Sequence, residues 1–149
     1  MHLLREQEAE VVRTRLQAIP HPVRLVFFTE GSSGLIVPGR GCQYCGETQR
    51  LLEDIAACSD RVTLEVHDRS TDPGAFAAYG IDRVPGLAIV GSADYGVRYY
   101  GLPAGYEFAT LLEIIVDVGR GSADLAPETR AALATLPGPQ HLQVFVTPT

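Results

Sequence analysis

Cys42-Gln43-Tyr44-Cys45 sets two thiols three residues apart, and no other group of residues in the chain carries so definite a chemistry. Two cysteines at that spacing at the start of a helix lie one turn apart, within reach of a disulfide of ordinary geometry. Cys42 is expected where unpaired helix amides and the macrodipole favour negative charge, which lowers a thiol's pKa. The thiolate is the attacking species in disulfide exchange. Cys45, one turn deeper, is expected to attack the mixed disulfide that results and release the product. Arg40, on the preceding loop, is expected to add a little positive potential. Two other readings stand beside this one: half of a zinc site, and a pair of inert buried thiols. A zinc site needs two more ligands, but there is no second Cys-x-x-Cys, and His2, His21, His67 and His141 are scattered without metal-ligand spacing.

Cys58 lies thirteen residues beyond Cys45. At about 1.5 Å rise per residue, a continuous helix separates the two by roughly 20 Å, too far for a disulfide. It is expected to be a small apolar residue near the helix end, with an intermolecular role as the alternative. Arg83-Val84-Pro85-Gly86 precedes an apolar strand. Pro85 reads either as an ordinary strand-start proline or as a cis-proline beside the cysteines, with Val84 offering backbone groups to an extended peptide. Its place after strand, Cys-x-x-Cys helix, strand and helix favours the second. Glu47 is expected to supply first-turn charge, Asp68 to cap a turn and His67 to be structural. Tyr95, Tyr99, Tyr100 and Tyr106 read as hairpin and helix packing.

The elements that must position these residues follow from periodicity. A helix is expected over 3–19, with Leu4, Val11, Val12, Leu16 and Ile19 near one face and Pro20 and Pro22 stopping it. Strands are expected over 23–28, 61–67 (Val62, Leu64 and Val66 on one side), 87–90 and 97–100, the last two forming a hairpin across 91–96. The motif helix runs from Cys42 to about Cys58, a short helix from Asp72-Pro73 to Gly80, and a strong amphipathic helix from Ala104 to Gly119 and Gly121. A further short helix spans 127–136, and 141–147 reads as a final strand. The loop over 30–41 is longer than most connections, which makes it a candidate cover for the entrance to Cys42.

Composition removes several function classes. In 149 residues there are twelve arginines and no lysine against eighteen acidic residues, a formal net charge of −6. With no basic cluster, sequence-independent nucleic-acid binding is not expected. No apolar run approaches the roughly 18 residues of a membrane span, and the first residues lack a signal-peptide core. Three cysteines are too few, and odd in number, for a secreted disulfide framework, so the cytoplasm is the expected location.

The stretches GCQYCGETQRLLEDIA, YGIDRVPGLAI, GVRYYGLPAGYEFATLLEIIVDVGRG and HLQVFVTPT, together with the leading helix, resemble one family. The chain is similar to the N-terminal unit of the glutaredoxin-like protein disulfide oxidoreductases, which carry two thioredoxin-fold units in tandem. The resemblance implies a thioredoxin-like α/β fold, a mixed sheet flanked by helices with an extra N-terminal helix. It implies Cys42 as nucleophile, Cys45 as resolving residue and Pro85 as the cis-proline, with Val84, Pro85 and Tyr44 against substrate. It implies no metal and no bound cofactor. Electrons are expected from a flavoprotein of the thioredoxin-reductase type and pass to protein disulfides. True glutaredoxins carry Gly-Gly-x-Asp at the start of the last helix. Here the place reads Gly101-Leu102-Pro103-Ala104-Gly105, so glutathione is not the expected reductant.

On this reading residues 1–136 form one thioredoxin-like domain, and 137–149 are a linker and the first strand of a second unit cut short. Such an orphan strand seeks an edge, so it is expected to dock on the sheet or to pair with another copy and give a dimer. The expected activity is thiol–disulfide exchange with proteins, its direction open. The alternatives are a docking module with idle cysteines and, more distantly, a metal or iron–sulfur dimer sharing cysteines between copies.

Overall fold

The run VRLVFFT forms strand β1 (Val23–Thr29), in which every residue except Arg24 is buried. A continuous stretch of β-branched and aromatic side chains suits a strand that meets water on neither face. The computed structural model describes residues 3–31 and 41–147. In it β1 is central to a four-stranded sheet that also contains β2 (Val62–Asp68), β3 (Gly86–Val90) and β4 (Arg98–Tyr100), in the order β2-β1-β3-β4. β2 runs parallel to β1, from Val23 opposite Val62 to Thr29 opposite Asp68. β3 is antiparallel to both β1 and β4. The helices are α1 (Glu6–Leu16), α2 (Cys45–Ala57), α3 (Pro73–Tyr79), α4 (Tyr106–Arg120) and α5 (Pro127–Ala134). This is the thioredoxin-like mixed sheet with an added N-terminal helix.

Strand alternation divides the core in two. Leu25 and Phe27 of β1 and Leu87 and Ile89 of β3 pack with Val12 and Leu16 of α1, Leu52 and Ile55 of α2, and Leu111 and Ile115 of α4. Val26, Phe28, Ala88 and Val90 project the other way, against Ala75 and Phe76 of α3 and against Ile81. Each such large side chain fully buried contributes about 1.5–3 kcal/mol. The sheet is therefore covered on both faces, and the motif helix is fixed to it by Leu51, Leu52 and Ile55.

Local chemistry sets the ends of the elements. Asp72 caps α3 by accepting the Ala75 N–H at 3.2 Å, with Pro73 in the first turn. Gly80 ends it at φ 64°, a conformation that favours glycine. Asp68 accepts the Ser70 N–H at 2.8 Å in the following turn, the capping role expected of it. The buried Asp54 carboxylate of α2 accepts the N–H groups of Leu3 and Leu4 at 2.6 and 3.0 Å, which ties the approach to α1 onto the motif helix. A Cβ on Gly119 would lie 2.3 Å from Ile19 Cγ2, so α4 meets the α1–β1 connection this closely only with glycine there.

Several expectations change. α1 ends at Leu16 rather than at 19, because Ala18 and Ile19 turn back to Arg15 and Leu16 before the prolines are reached. Val11 is exposed, since the buried stripe is Ala9, Val12 and Leu16. Val66 is also exposed, on β2, which is an edge strand of the sheet. The strand expected over 141–147 does not form. Leu142, Val144, Phe145 and Val146 are exposed, and no sheet edge among the described residues receives them. An apolar run with strand propensity still needs a ladder partner, and here it follows α5, which itself buries no residue. Docking on the domain's own sheet is thereby corrected. Residues 32–40 of the long loop, Arg40 among them, lie outside the described residues.

Candidate active site

The motif begins where β1 ends. Phe28 stands opposite Gly86 across the β1–β3 ladder, so the chain leaving β1 at Glu30 and the chain entering β3 through Val84 and Pro85 share one end of the sheet. The motif returns to that end at Gly41. Glu30, Gly41, Cys42, Gln43, Tyr44, Val84 and Pro85 line a single cleft of about 480 Å³. The Val84–Pro85 peptide bond is cis, as the order of elements suggested.

Cys42 and Cys45 are joined by a disulfide, with S–S 2.01 Å and Cα–Cα 5.4 Å. The helix starts at Cys45 rather than at Cys42. Tyr44 is its N-cap residue, with α-region rather than extended dihedrals, and its side chain makes no cap hydrogen bond. Cys42 O accepts the Cys45 N–H at 3.4 Å and Tyr44 O accepts the Thr48 N–H at 2.9 Å. Cys42 thus sits just ahead of a helix N-terminus, where the first-turn amides and the dipole favour an anion. Glu47 lies in the first turn of α2, as expected. The two sulfurs differ sharply in access: Cys45 is 4% exposed, whereas Cys42 is half-buried and opens on the cleft.

Of the residues singled out from sequence, Cys42, Tyr44, Val84 and Pro85 converge on the cleft, with Cys45 buried and bonded to Cys42. Cys58 stands apart. It is the C-cap residue of α2, its Sγ donates to Asp54 O at 3.2 Å, and burial pushes its thiol pKa up. His67 is structural, its ring nitrogens 2.7 Å from Asp72 Oδ2 and 2.9 Å from Glu65 Oε1 and its ring stacked on Phe28. Among the described residues no group of three or more His, Cys, Asp and Glu side chains is placed to hold a metal ion, and no helix is long and apolar enough to cross a membrane.

Sequence reasoning missed Glu30, which lines the cleft with its carboxylate 3.5 Å from Arg69 Nε. Its place directly after β1, at the end of the sheet the motif also occupies, was the available signal. Arg83, beside Val84, sets its guanidinium 4.8 Å from the Tyr100 ring centroid.

A model of the thioredoxin domain matches residues 35–113, more than half of the chain. The chain belongs to the thioredoxin-domain family. Among solved structures, a protein disulfide oxidoreductase from Aeropyrum pernix K1 is 28% identical with a TM-score of 0.75, over 92% of this chain and 58% of that one. The alkylhydroperoxide reductase component AhpF from Enterococcus faecalis shares the fold, at 22% identity and a TM-score of 0.74, over 90% of this chain and 61% of that one. The chain thus spans about three-fifths of each relative. No curated protein matches it. Family, fold and a Cys42–Cys45 disulfide at this spacing make the thioredoxin-family unit a thiol–disulfide oxidoreductase domain.

Proposed function

We propose that the domain exchanges its Cys42–Cys45 pair with disulfides of protein substrates, with Cys42 as nucleophile and Cys45 as resolving residue. The observation that carries this is the unequal access of two bonded sulfurs at one cleft. In the dithiol form the Cys42 thiolate attacks a substrate sulfur. The substrate S–S bond breaks, and the departing thiolate takes up a proton. Cys45 then loses its proton and attacks Cys42 Sγ, the mixed disulfide breaks, and the second substrate sulfur leaves as a thiolate. Two electrons pass from the dithiol to the substrate, and the pair ends as the disulfide seen here. Val84 offers backbone hydrogen bonds to an extended substrate segment, with Pro85 and Tyr44 forming the walls beside it.

The finer parts of the reading are proposals too. Electrons come from a flavoprotein of the thioredoxin-reductase type, the compartment is the cytoplasm, and the role is maintenance of thiol balance there. Residues 137–149 begin a second unit, consistent with the chain's 58% share of the Aeropyrum protein. The exposed run 142–146 is the surface through which two copies would pair. Sedimentation or light scattering on the full chain checks this, and a monomer at all concentrations removes the dimer.

The deciding experiment equilibrates the protein in thiol buffers of graded potential and traps it with an alkylating mass tag. A single two-electron transition that vanishes in Cys42→Ser is the expected result. A midpoint near about −270 mV marks a reductase, and one near about −180 mV or above an isomerase or oxidant. If the folded protein shows no transition, the pair is idle and the domain is a docking module.

A further inference from the structure

Thr48 lies three residues beyond Cys45 on the same buried face of α2, at 2% exposure. Its hydroxyl is buried and makes no hydrogen bond among the described residues. Inside a helix a threonine hydroxyl ordinarily bonds back to the carbonyl four residues earlier. Here Tyr44 O accepts the Thr48 backbone N–H at 2.9 Å, as in any helix, but the hydroxyl makes no such second bond and has no partner among the described residues. Buried polar groups are nearly always satisfied, so an exception in the turn beside a redox pair needs a reason. Side chains three apart on a helix have Cβ atoms about 5–6 Å apart, which puts the Cys45 sulfur within reach of a small rotation.

We propose that Thr48 is a positioning residue for Cys45, its hydroxyl donating a hydrogen bond to Cys45 Sγ when the disulfide opens. A disulfide sulfur is a poor acceptor, and Cys45 Sγ is committed to Cys42 in the oxidised form. Reduction adds two electrons across the S–S bond and turns Cys45 Sγ into a thiol or thiolate, a far better acceptor. The thiolate is also the species that must attack Cys42 Sγ in the resolving step. The hydroxyl is thus unsatisfied in one redox state and satisfied in the other, so it biases the couple toward the dithiol and favours ionisation of Cys45. The inference rests on the exchange reading of the Cys42–Cys45 pair.

The test is the same redox titration on the full chain carrying Thr48→Val, which removes the hydroxyl at nearly constant shape, and Thr48→Ser, which keeps it. One net hydrogen bond corresponds to about a tenfold change in the dithiol–disulfide equilibrium constant, or about 30 mV. The expected result is a shift of about tenfold toward the disulfide in Thr48→Val and a wild-type midpoint in Thr48→Ser. In a Cys42→Ser background, Thr48→Val is expected to move the pH profile of Cys45 alkylation to higher pH. A purely structural threonine would move neither quantity. Should Thr48→Val fail to fold, Thr48→Ala removes the same donor and gives the same readings. An unchanged midpoint in the hydroxyl-less variant, or an equal shift in Thr48→Ser, overturns the proposal while leaving the exchange reading intact. A wild-type protein with no two-electron transition overturns both.

Discussion

Cys42 and Cys58 are both half-buried, yet their surroundings differ in kind. Cys42 stands ahead of a helix N-terminus and opens on a cleft, whereas Cys58 closes the other end of the same helix beside Asp54 O. Burial, more than any charge near it, raises the Cys58 thiol pKa. In the reduced protein near neutral pH, a limiting alkylating agent is therefore expected to label Cys42 first and Cys58 slowly, read by peptide mass mapping. Comparable labelling of both would contradict the assignment. Asp94 gives a pH prediction at the same scale. Hydrogen bonds from Arg98 and then from the Gly96 N–H hold its carboxyl down at about 2. A depressed folded-state pKa contributes stability that is complete above about pH 4, near the unfolded value, and is lost as pH falls through about 2. The side chain is 39% exposed, so solvent screening limits the contribution to about 1 kcal/mol or less. Urea unfolding of wild type and Asp94→Asn is expected to show a gap in mildly acidic to neutral buffer that closes as pH approaches about 2.

Among the elements, those whose signals are local were legible. Asp72-Pro73 and Gly80 bracket α3 by caps that act within a few residues, and VRLVFFT declares its own burial. The Cys-x-x-Cys turn was legible for the same reason, although its helix starts at Cys45 rather than at the first cysteine. Long-range features left no such mark. Asp54 reads as one more polar residue on α2, and its role depends on Leu3 and Leu4, far away in the chain. Thr48 sits among apolar helix positions, a visible anomaly whose meaning needed its burial. Gly119 likewise reads as a helix-end glycine, but the structure makes it the contact point between α4 and Ile19. Gly119→Ala is expected to destabilise the fold by about 1–3 kcal/mol through overpacking, visible as a lower urea midpoint with an unchanged slope. Asp54→Ala is expected to cost a similar amount, about 1–3 kcal/mol, by leaving two amides without their acceptor. A thermal melt indistinguishable from wild type would refute either expectation.

For the molecule as a whole, the packed core ends near Gly121. α4 closes it through Leu111, Leu112, Ile115 and Val118, whereas α5 buries nothing and 141–147 is exposed throughout. Removing everything from Pro127 onward is expected to leave the melting temperature unchanged, and a clear fall would show that the segment packs on the domain. The expected final strand was misread because propensity belongs to a single segment, while a ladder belongs to two, and among the described residues no second segment meets it. The unequal access of the two sulfurs reaches further than the chemistry of one exchange. On the proposed exchange, with Cys45 buried, whatever reduces the pair and whatever is reduced by it would both have to reach Cys42, through the same cleft, at different moments. Donor and acceptor are then rivals for a single berth. Turnover would follow a substituted-enzyme rate law, with parallel double-reciprocal lines, and an excess of either partner would slow the reaction by blocking the other.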